Sequence, residues 1–179
     1  MKLHFKGRLL KIITQKRRLP NGYLASLEIV EHPGAVLIVP FWDSDRLVIL
    51  RQFRPVVGCT LYEFPAGTLK PDEPPLVCAR RELLEETGYT ARKLIKLGKI
   101  FPVPGYSTEI ITILKAEGLR VFRKTSFQGE NHPRDSEQKD PDEILKACIL
   151  SRAQIRRLFR GGRLQDAKTI CALGFCGII

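Results

Sequence analysis

Short runs of apolar, β-branched residues separated by turn residues dominate the first half of the chain. Loose alternation over residues 2–16 predicts one or two edge strands, and the Leu-Pro-Asn-Gly run at 19–22 predicts a turn. Further strands are predicted over residues 23–31, 35–41 and 47–53. Because the last two runs are separated only by turn-forming residues at 43–45, they are expected to form a hairpin within a mixed sheet.

Helical signals begin at about residue 71. Proline and acidic residues at 71–75 indicate the first turn of a helix, which is expected to run over about 74–87 and to stop at Gly88. Ser151 is expected to cap another helix that ends at the glycines 161–162. The remaining predicted segments are strands over 96–103, 109–116 and 143–150, a final helix over 165–174, and a long mobile loop over 125–142. Sheets flanked by helices predict an α/β sandwich.

Composition indicates an ordinary globular protein. Of 179 residues, 44% are hydrophobic and 27% are charged, which argues against wholesale disorder. The sequence contains no run of 18 apolar residues, so no membrane span is predicted. The charges scattered through the N-terminal residues do not resemble a secretory signal. The five cysteines lack metal-ligand spacing, so free buried thiols in a reducing compartment, and hence a cytoplasmic location, are expected.

The net charge of +11 is concentrated at the two ends of the chain. Residues 61–150 hold 14 basic and 14 acidic side chains, residues 1–60 hold 10 against 4, and residues 151–179 hold 6 against 1. This surplus of positive charge would attract RNA or a small polyphosphate, but it is equally compatible with a solvated basic surface that has no specific partner. Because no basic segment is interleaved with regularly spaced aromatic residues, nucleic acid is the less favoured partner.

Carboxylates in the first predicted helix are the clearest sign of chemistry. Glu82 and Glu86 are four residues apart and share one helical face, and Glu85 lies three residues from Glu82. Like charges at this spacing destabilise a helix by about 0.2–0.5 kcal/mol per pair, whereas Arg81 is placed to pair with Glu85. Three converging carboxylates suit a hard cation such as Mg²⁺, although alone they also fit a solvated acidic face.

The residues around this cluster resemble the Nudix hydrolase family. The family's sequence box is matched by Gly67, Glu73, Arg81, Glu82, Leu83, Glu85, Glu86, Gly88 and Tyr89. Only Tyr89 departs mildly, because an aliphatic residue is commoner there. The resemblance implies a Nudix-type α/β/α sandwich with a mixed sheet over residues 32–179, preceded here by a small antiparallel β extension over residues 1–31.

The resemblance also implies a chemistry: hydrolysis of a nucleoside diphosphate linked to another moiety, with Mg²⁺ or Mn²⁺ as cofactor. The implied metal ligands are the carbonyl of Ala66 and the carboxylates of Glu82, Glu85 and Glu86, and Glu85 would alternatively orient water. Arg81 would hold the glutamates, Glu73 would lie outside the metal ligands, and Gly67 would permit a tight entry turn.

Five flanking motifs look like those of the ADP-ribose (ADP-sugar) pyrophosphatase branch. They are HPGAV at 32–36, RQFR at 51–54, YEFPAG at 62–67, PGYSTE at 104–109 and GGRLQDAKT at 161–169. By this resemblance Arg54, and with it Arg51, would bind the diphosphate through guanidinium groups, although both also fit a strand-end surface charge. Glu63 fits either a residue that supports the site or an ordinary strand position.

In this branch the general base lies on a mobile loop that closes over the substrate. The candidates are Glu143, which is favoured, Asp140, Asp142 and, beside a glycine turn, Glu109. Tyr23 and Trp42 are candidates for stacking the adenine, but a hairpin aromatic such as Trp42 more often serves packing. The first 30 residues are too short and edge-like to fold alone, so a homodimer is predicted.

The sequence thus predicts a metal-dependent enzyme that splits ADP-ribose or a related ADP-sugar into AMP and a sugar phosphate. Two alternatives remain. The first is a Nudix hydrolase of another nucleotide, such as a nucleoside triphosphate, a dinucleotide or the 5′ end of RNA. The second is a nucleotide-sensing regulator without turnover, which the intact set of clashing glutamates disfavours.

Overall fold

Three sheets and three helices make up residues 1–122 and 144–179, the part of the chain that the computed structural model describes. The strands are β1 (Lys2–Lys6), β2 (Lys11–Arg18), β3 (Leu24–Glu31), β4 (Ala35–Pro40), β5 (Arg46–Arg54), β6 (Cys59–Glu63), β7 (Ala66–Thr68), β8 (Tyr89–Ile100), β9 (Ile111–Val121) and β10 (Leu145–Ser151). The helices are α1 (Pro75–Thr87), α2 (Arg152–Arg160) and α3 (Ala167–Phe175). The expected loop over 125–142, which contains Asp140 and Asp142, lies outside these residues, and so does Glu143.

The predicted N-terminal extension is an antiparallel sheet in the order β1-β2-β3. Its predicted turn forms: Gly22 donates its N–H to the Leu19 carbonyl at 2.9 Å and has a φ of 83°, which glycine adopts readily. The sheet joins the rest of the molecule at the end of β3, where Val30 donates its N–H to the Tyr106 carbonyl. Most of β1 stays exposed, including Phe5.

The expected hairpin between 35–41 and 47–53 is wrong. β4 lies in the mixed sheet β7-β4-β9-β8, parallel to β9, whereas β5 lies between β10 and β6 in another sheet. Only one bridge, between Phe41 and Leu47, joins the two segments in the described structure. Every residue of β4 is buried, and both of its edges are occupied by other strands, so β5 has no edge to pair with.

The two faces of β4 pack against different helices, which confirms the α/β/α arrangement. Val36 and Ile38 join a cluster with Cys78, Ala79 and Leu83 of α1. Leu37 and Val39 join a second cluster that includes Ile155 of α2 and Leu173 of α3. Alternation of side chains along a strand explains why consecutive residues reach opposite layers.

The helix ends follow the predicted caps. Gly88 has a φ of 73° and donates its N–H to the Leu84 carbonyl, closing α1. Ser151 and Gln154 form a reciprocal capping box at the start of α2. The acidic residues expected in the first turn of α1 instead precede it, since the helix begins at Pro75. No helix in the described ranges is long and apolar enough to cross a membrane.

Two further expectations are corrected. The predicted strand over 96–103 covers only the last part of β8, because β8 starts directly after the α1 cap and pairs Tyr89 with Val121. The thiols of Cys59 and Cys171 are exposed rather than buried. Cys59 follows an exposed turn, and Cys171 lies on the outer side of α3, whose buried residues are its neighbours Thr169, Ala172 and Leu173. All five cysteines are free.

Candidate active site

Gly67 in β7 makes room for a carboxylate of α1. A Cβ atom built on Gly67 would lie 1.9 Å from the side-chain Cδ and Oε1 of Glu82, closer than any van der Waals contact allows. No side chain larger than hydrogen is therefore compatible with this position of Glu82. The Glu82 side chain is 13% exposed, so it is largely buried between the strand and the helix.

The second carboxylate, Glu86, is tied to the start of the same strand. It is 6% exposed, and its Oε2 accepts a hydrogen bond from the Ala66 N–H at 2.9 Å. The structure thus brings Glu82, Glu86 and the backbone of Ala66 together, as the sequence box implied. Their carboxylate and carbonyl oxygens are the donors that a hard divalent cation takes, so the residues fit such an ion.

Arg81 binds three of the glutamates. Its guanidinium donates hydrogen bonds to Glu73 (2.9 Å from both Nε and Nη2), to Glu82 (2.5 Å) and to Glu85 (3.0 Å), which confirms the predicted Arg81–Glu85 pair. The hydrogen bond from Arg81 lowers the pKa of Glu73 to about 2. The hydrogen bond to Glu73, and after it the charge and hydrogen bond of Glu82, raise the pKa of Arg81. Arg81 therefore stays charged and fixes the acidic end of the box.

Among the described residues, no three His, Cys, Asp or Glu side chains converge as a ready metal site. The carboxylates of Glu82 and Glu85 are instead hydrogen-bonded to the guanidinium of Arg81. Glu85 is also the most open of the three, with a side chain 36% exposed. Arg81 contacts only Oε2 of Glu85, so the other carboxylate oxygen could bind an ion with this pair in place.

Arg54 lies in a buried ion-pair network next to this box. Its Nε and Nη2 donate to the two carboxylate oxygens of Glu63 at 2.8 and 2.6 Å. Glu63 is only 1% exposed and also accepts a hydrogen bond from Lys168. Burial opposes ionisation of Glu63, but Arg54 and Lys168 outweigh it and hold its pKa below the usual value. Sequence reasoning missed Lys168, although it lies in the quoted 161–169 motif.

The other predicted binding residues are more dispersed. Arg51 stacks over the Tyr62 ring at 5.9 Å and, three residues from Arg54, points to the opposite face of β5. Tyr23 lies at the turn between β2 and β3 and is 66% exposed. Trp42 packs edge-on against Tyr89 with ring centroids 5.5 Å apart.

Glu109, the one general-base candidate among the described residues, precedes β9. Its Oε1 lies 3.8 Å from Nδ1 of His32, and its side chain is 25% exposed. Nδ1 of His32 accepts a hydrogen bond from the Gly34 N–H, so the ring proton of a neutral His32 resides on Nε2. Ser107 further fixes the loop by accepting the Glu109 N–H at 3.1 Å.

Comparison with known proteins agrees with this geometry. The model of the NUDIX domain matches residues 31–173, so the chain belongs to the NUDIX family and is a Nudix hydrolase. It is 33% identical over 171 residues to an ADP-ribose pyrophosphatase of Bacillus subtilis (strain 168), covering 96% of this chain and 86% of that protein. Identity and coverage are the same for a methanol dehydrogenase activator of Bacillus methanolicus.

The fold is shared with a solved structure. A crystal structure of an ADP compounds hydrolase superposes with a TM-score of 0.74, at 24% identity, covering 98% of this chain and 88% of the other. The agreement spans the N-terminal sheet as well as the NUDIX domain, since nearly the whole chain is matched.

Proposed function

We propose that this protein hydrolyses the diphosphate bond of ADP-ribose or a related ADP-sugar, releasing AMP and a sugar phosphate. The observation that carries the proposal is the convergence of Glu82, Glu86 and Ala66 beside the cationic side chain of Arg54. Such a pairing of oxygen ligands with a guanidinium suits a metal-bound diphosphate. The similarity to an ADP-ribose pyrophosphatase over 96% of the chain supports the choice of substrate.

The proposed metal ligands and Arg81 have distinct roles in this reaction. Ala66, through its carbonyl, Glu82 and Glu86 would hold Mg²⁺ or Mn²⁺, with Glu85 as a further ligand or an orienter of water. When bound, the ion supplies charge that stabilises the diphosphate oxygens and lowers the pKa of a bound water. Arg81 holds the glutamates in place, as its hydrogen bonds to them require.

Cationic residues would bind the substrate, and an acidic residue would act as the general base. Arg54, and Arg51 where the substrate reaches the other face of β5, would donate hydrogen bonds to phosphate oxygens. A water oxygen attacks phosphorus, the bond from phosphorus to the bridging oxygen breaks, and the general base takes the water proton. We assign that base to Glu143, with Glu109 beside His32 as the alternative.

We further propose that the protein is a homodimer of the cytoplasm. The N-terminal sheet exposes several large apolar side chains that a second subunit would cover, namely Leu3, Phe5, Leu10, Tyr23 and Leu24. In such a dimer Tyr23 would stack on the adenine in the partner subunit's site. The five free cysteines support a reducing compartment.

Product analysis with purified protein tests the proposed activity. The panel contains ADP-ribose, other nucleotide sugars, dinucleotides, nucleoside triphosphates and RNA with a 5′ triphosphate, each with Mg²⁺ and with a chelator. We expect AMP release from ADP-ribose that the chelator abolishes. Turnover of another panel member alone would retain the bond chemistry and reject the ADP-sugar assignment.

A regulatory role is the second candidate, and the equal similarity to a methanol dehydrogenase activator favours it. Absence of turnover on the whole panel, together with tight binding of one of its nucleotides, would identify a regulator. Turnover of ADP-ribose with AMP as product would instead support the enzyme, because binding alone releases no AMP.

A further inference from the structure

Glu63 is a buried carboxylate shared by two cations. Its side chain is 1% exposed; Arg54 donates one hydrogen bond to each of its two oxygens, and Lys168 donates a third to Oε2. A buried carboxylate with one unpaired side would carry a large desolvation penalty. Lys168 adds a second positive charge and a third hydrogen bond, which together with Arg54 offset the burial of Glu63.

The position of Lys168 is set by the start of α3. Asp166 caps this helix, accepting the Thr169 N–H at 3.0 Å and the Thr169 hydroxyl at 2.6 Å, and it also accepts a hydrogen bond from Lys168 at 2.8 Å. Thr169 is fully buried and accepts the Phe64 N–H at 2.9 Å. The first turn of α3 is thus fastened to the residue that follows Glu63, which leaves Lys168 little freedom.

Arg54, the second partner of Glu63, lies close to the Nudix box. The charge of Glu86 acts on Arg54 and contributes to its raised pKa, after the larger effect of Glu63. Glu86 is hydrogen-bonded to Ala66, three residues beyond Glu63. Arg54 donates from Nε and Nη2 to Glu63, and its side chain is still 40% exposed, so a ligand can reach the guanidinium.

We propose that Lys168 is a positioning residue for phosphate binding: by holding Glu63, it orients the Arg54 guanidinium toward the diphosphate beside the box. The inference deepens the proposed function and rests on it, since Arg54 is there the diphosphate ligand. Without Lys168, Arg54 alone must offset the burial of Glu63, and the pair of side chains can shift together into the space that Lys168 leaves. Arg54 would then meet the phosphate oxygens in a poorer orientation, although its charge would remain.

The test compares variants of Lys168 with a matched lysine elsewhere. Lys168→Met removes the charge at similar length, and Lys168→Arg restores a cation. Lys115→Met is the control, because Lys115 is also half-buried and ion-paired, with Glu117, but belongs to β9 and not to the Glu63 network. Binding of ADP in Mg²⁺ is measured by titration calorimetry, thermal unfolding is followed, and KM and kcat are determined with ADP-ribose.

We expect Lys168→Met to raise the Kd for ADP and the KM for ADP-ribose about tenfold, with kcat changed less than about threefold, as suits loss of one oriented charge-assisted contact. Lys168→Arg should bind ADP within about twofold of the wild type, and Lys115→Met should lower Tm without changing the Kd. Should Lys168→Met not fold, Lys168→Gln, which retains an N–H donor, takes its place.

Wild-type affinity for ADP in Lys168→Met, or equal weakening in Lys115→Met, would overturn the positioning role. ADP binding does not depend on turnover, so the two proposals fail separately. If ADP binds in a Lys168-dependent way but ADP-ribose is not hydrolysed, the proposed substrate is wrong and the role of Lys168 stands. If the wild type neither binds ADP nor hydrolyses ADP-ribose, both are rejected.

Discussion

Glu82 lies directly over Gly67, so closely that a Cβ atom at residue 67 would come within 1.9 Å of the Glu82 carboxyl group. The contact joins β7 to α1 and fixes one of the proposed metal ligands against the strand that carries Ala66. Substitution Gly67→Ala must displace this carboxylate. Because misplacement by about 1 Å can cost about 100-fold in rate, we expect at least that loss in kcat/KM for ADP-ribose.

Gly174→Ala is the matched control for that substitution. A Cβ at Gly174, within α3, meets no atom within 4 Å, and alanine is the better helix former. Its activity should equal that of the wild type, with unchanged or slightly raised Tm. Full activity in Gly67→Ala would show that the position of Glu82 does not matter for the reaction.

Substitution Glu86→Gln tests the metal assignment with little change of shape. The amide oxygen can still accept the Ala66 N–H, so the fold should survive, but the charge is lost. We expect kcat to fall more than about 100-fold, beyond the loss typical of residues that only support a metal ligand. The measurement is the rate of AMP release over a Mg²⁺ titration, with Glu117→Gln, at the Lys115 pair, as control.

The general base is decided by comparing Glu143→Gln with Glu109→Gln. Loss of a general base costs about 10²- to 10⁴-fold, without much change in metal affinity. We expect this loss in Glu143→Gln and a far smaller one in Glu109→Gln. A wild-type rate in the former and an inactive Glu109→Gln enzyme would move the role to Glu109, beside His32.

The Glu73–Arg81 pair predicts a dependence of stability on acid. The pKa of Glu73 is about 2 in the folded protein and near 4.5 when unpaired, so the pair stabilises the fold fully above the higher value. Its contribution declines as the pH falls below about 4.5 and is lost near 2. Glu73→Gln should therefore cost about 1.5–3 kcal/mol of unfolding free energy at pH 7 and progressively less below pH 4.5.

Chemical denaturation of the wild type and of Glu73→Gln between pH 7 and pH 2.5 measures this difference. Glu31→Gln, which loses the half-exposed pair with Lys11, provides a control with a smaller effect, about 1 kcal/mol or less. A Glu73→Gln penalty that stayed constant across the whole range would contradict the assignment of the low pKa to ionisation of Glu73.

The exposed apolar face of β1 predicts the oligomeric state. Light scattering should give twice the chain mass of 20.3 kDa, and Phe5→Glu should reduce it to one chain because a charge cannot be buried unpaired in an interface. Val56→Glu, at a turn residue that is 99% exposed, is the control. A monomeric wild type would reject the homodimer and, with it, the role of Tyr23 in a partner's site.

Features that depend only on neighbours along the chain could be predicted from the residues themselves. The end of α1 at Gly88 and the capping box of Ser151 follow from local backbone chemistry, and so they could be predicted. The Arg81–Glu85 pair likewise needs only helical spacing. The Nudix box was recognisable for the same reason, since its residues follow one another from β7 through the turn and helix α1 to the first residue of β8.

Contacts between distant strands and side chains could not be predicted in this way, because they depend on how the whole chain packs. The β4 and β5 segments look like a hairpin in sequence, yet they belong to different sheets, because β4 is paired on both edges and buried on both faces. Glu63 and Lys168 lie 105 residues apart, and only the docking of α3 on β6 brings them into contact. The alternation of side chains along a strand predicts which face of the sheet each residue occupies. It does not predict which residue packs on that face, because long-range packing sets the partner.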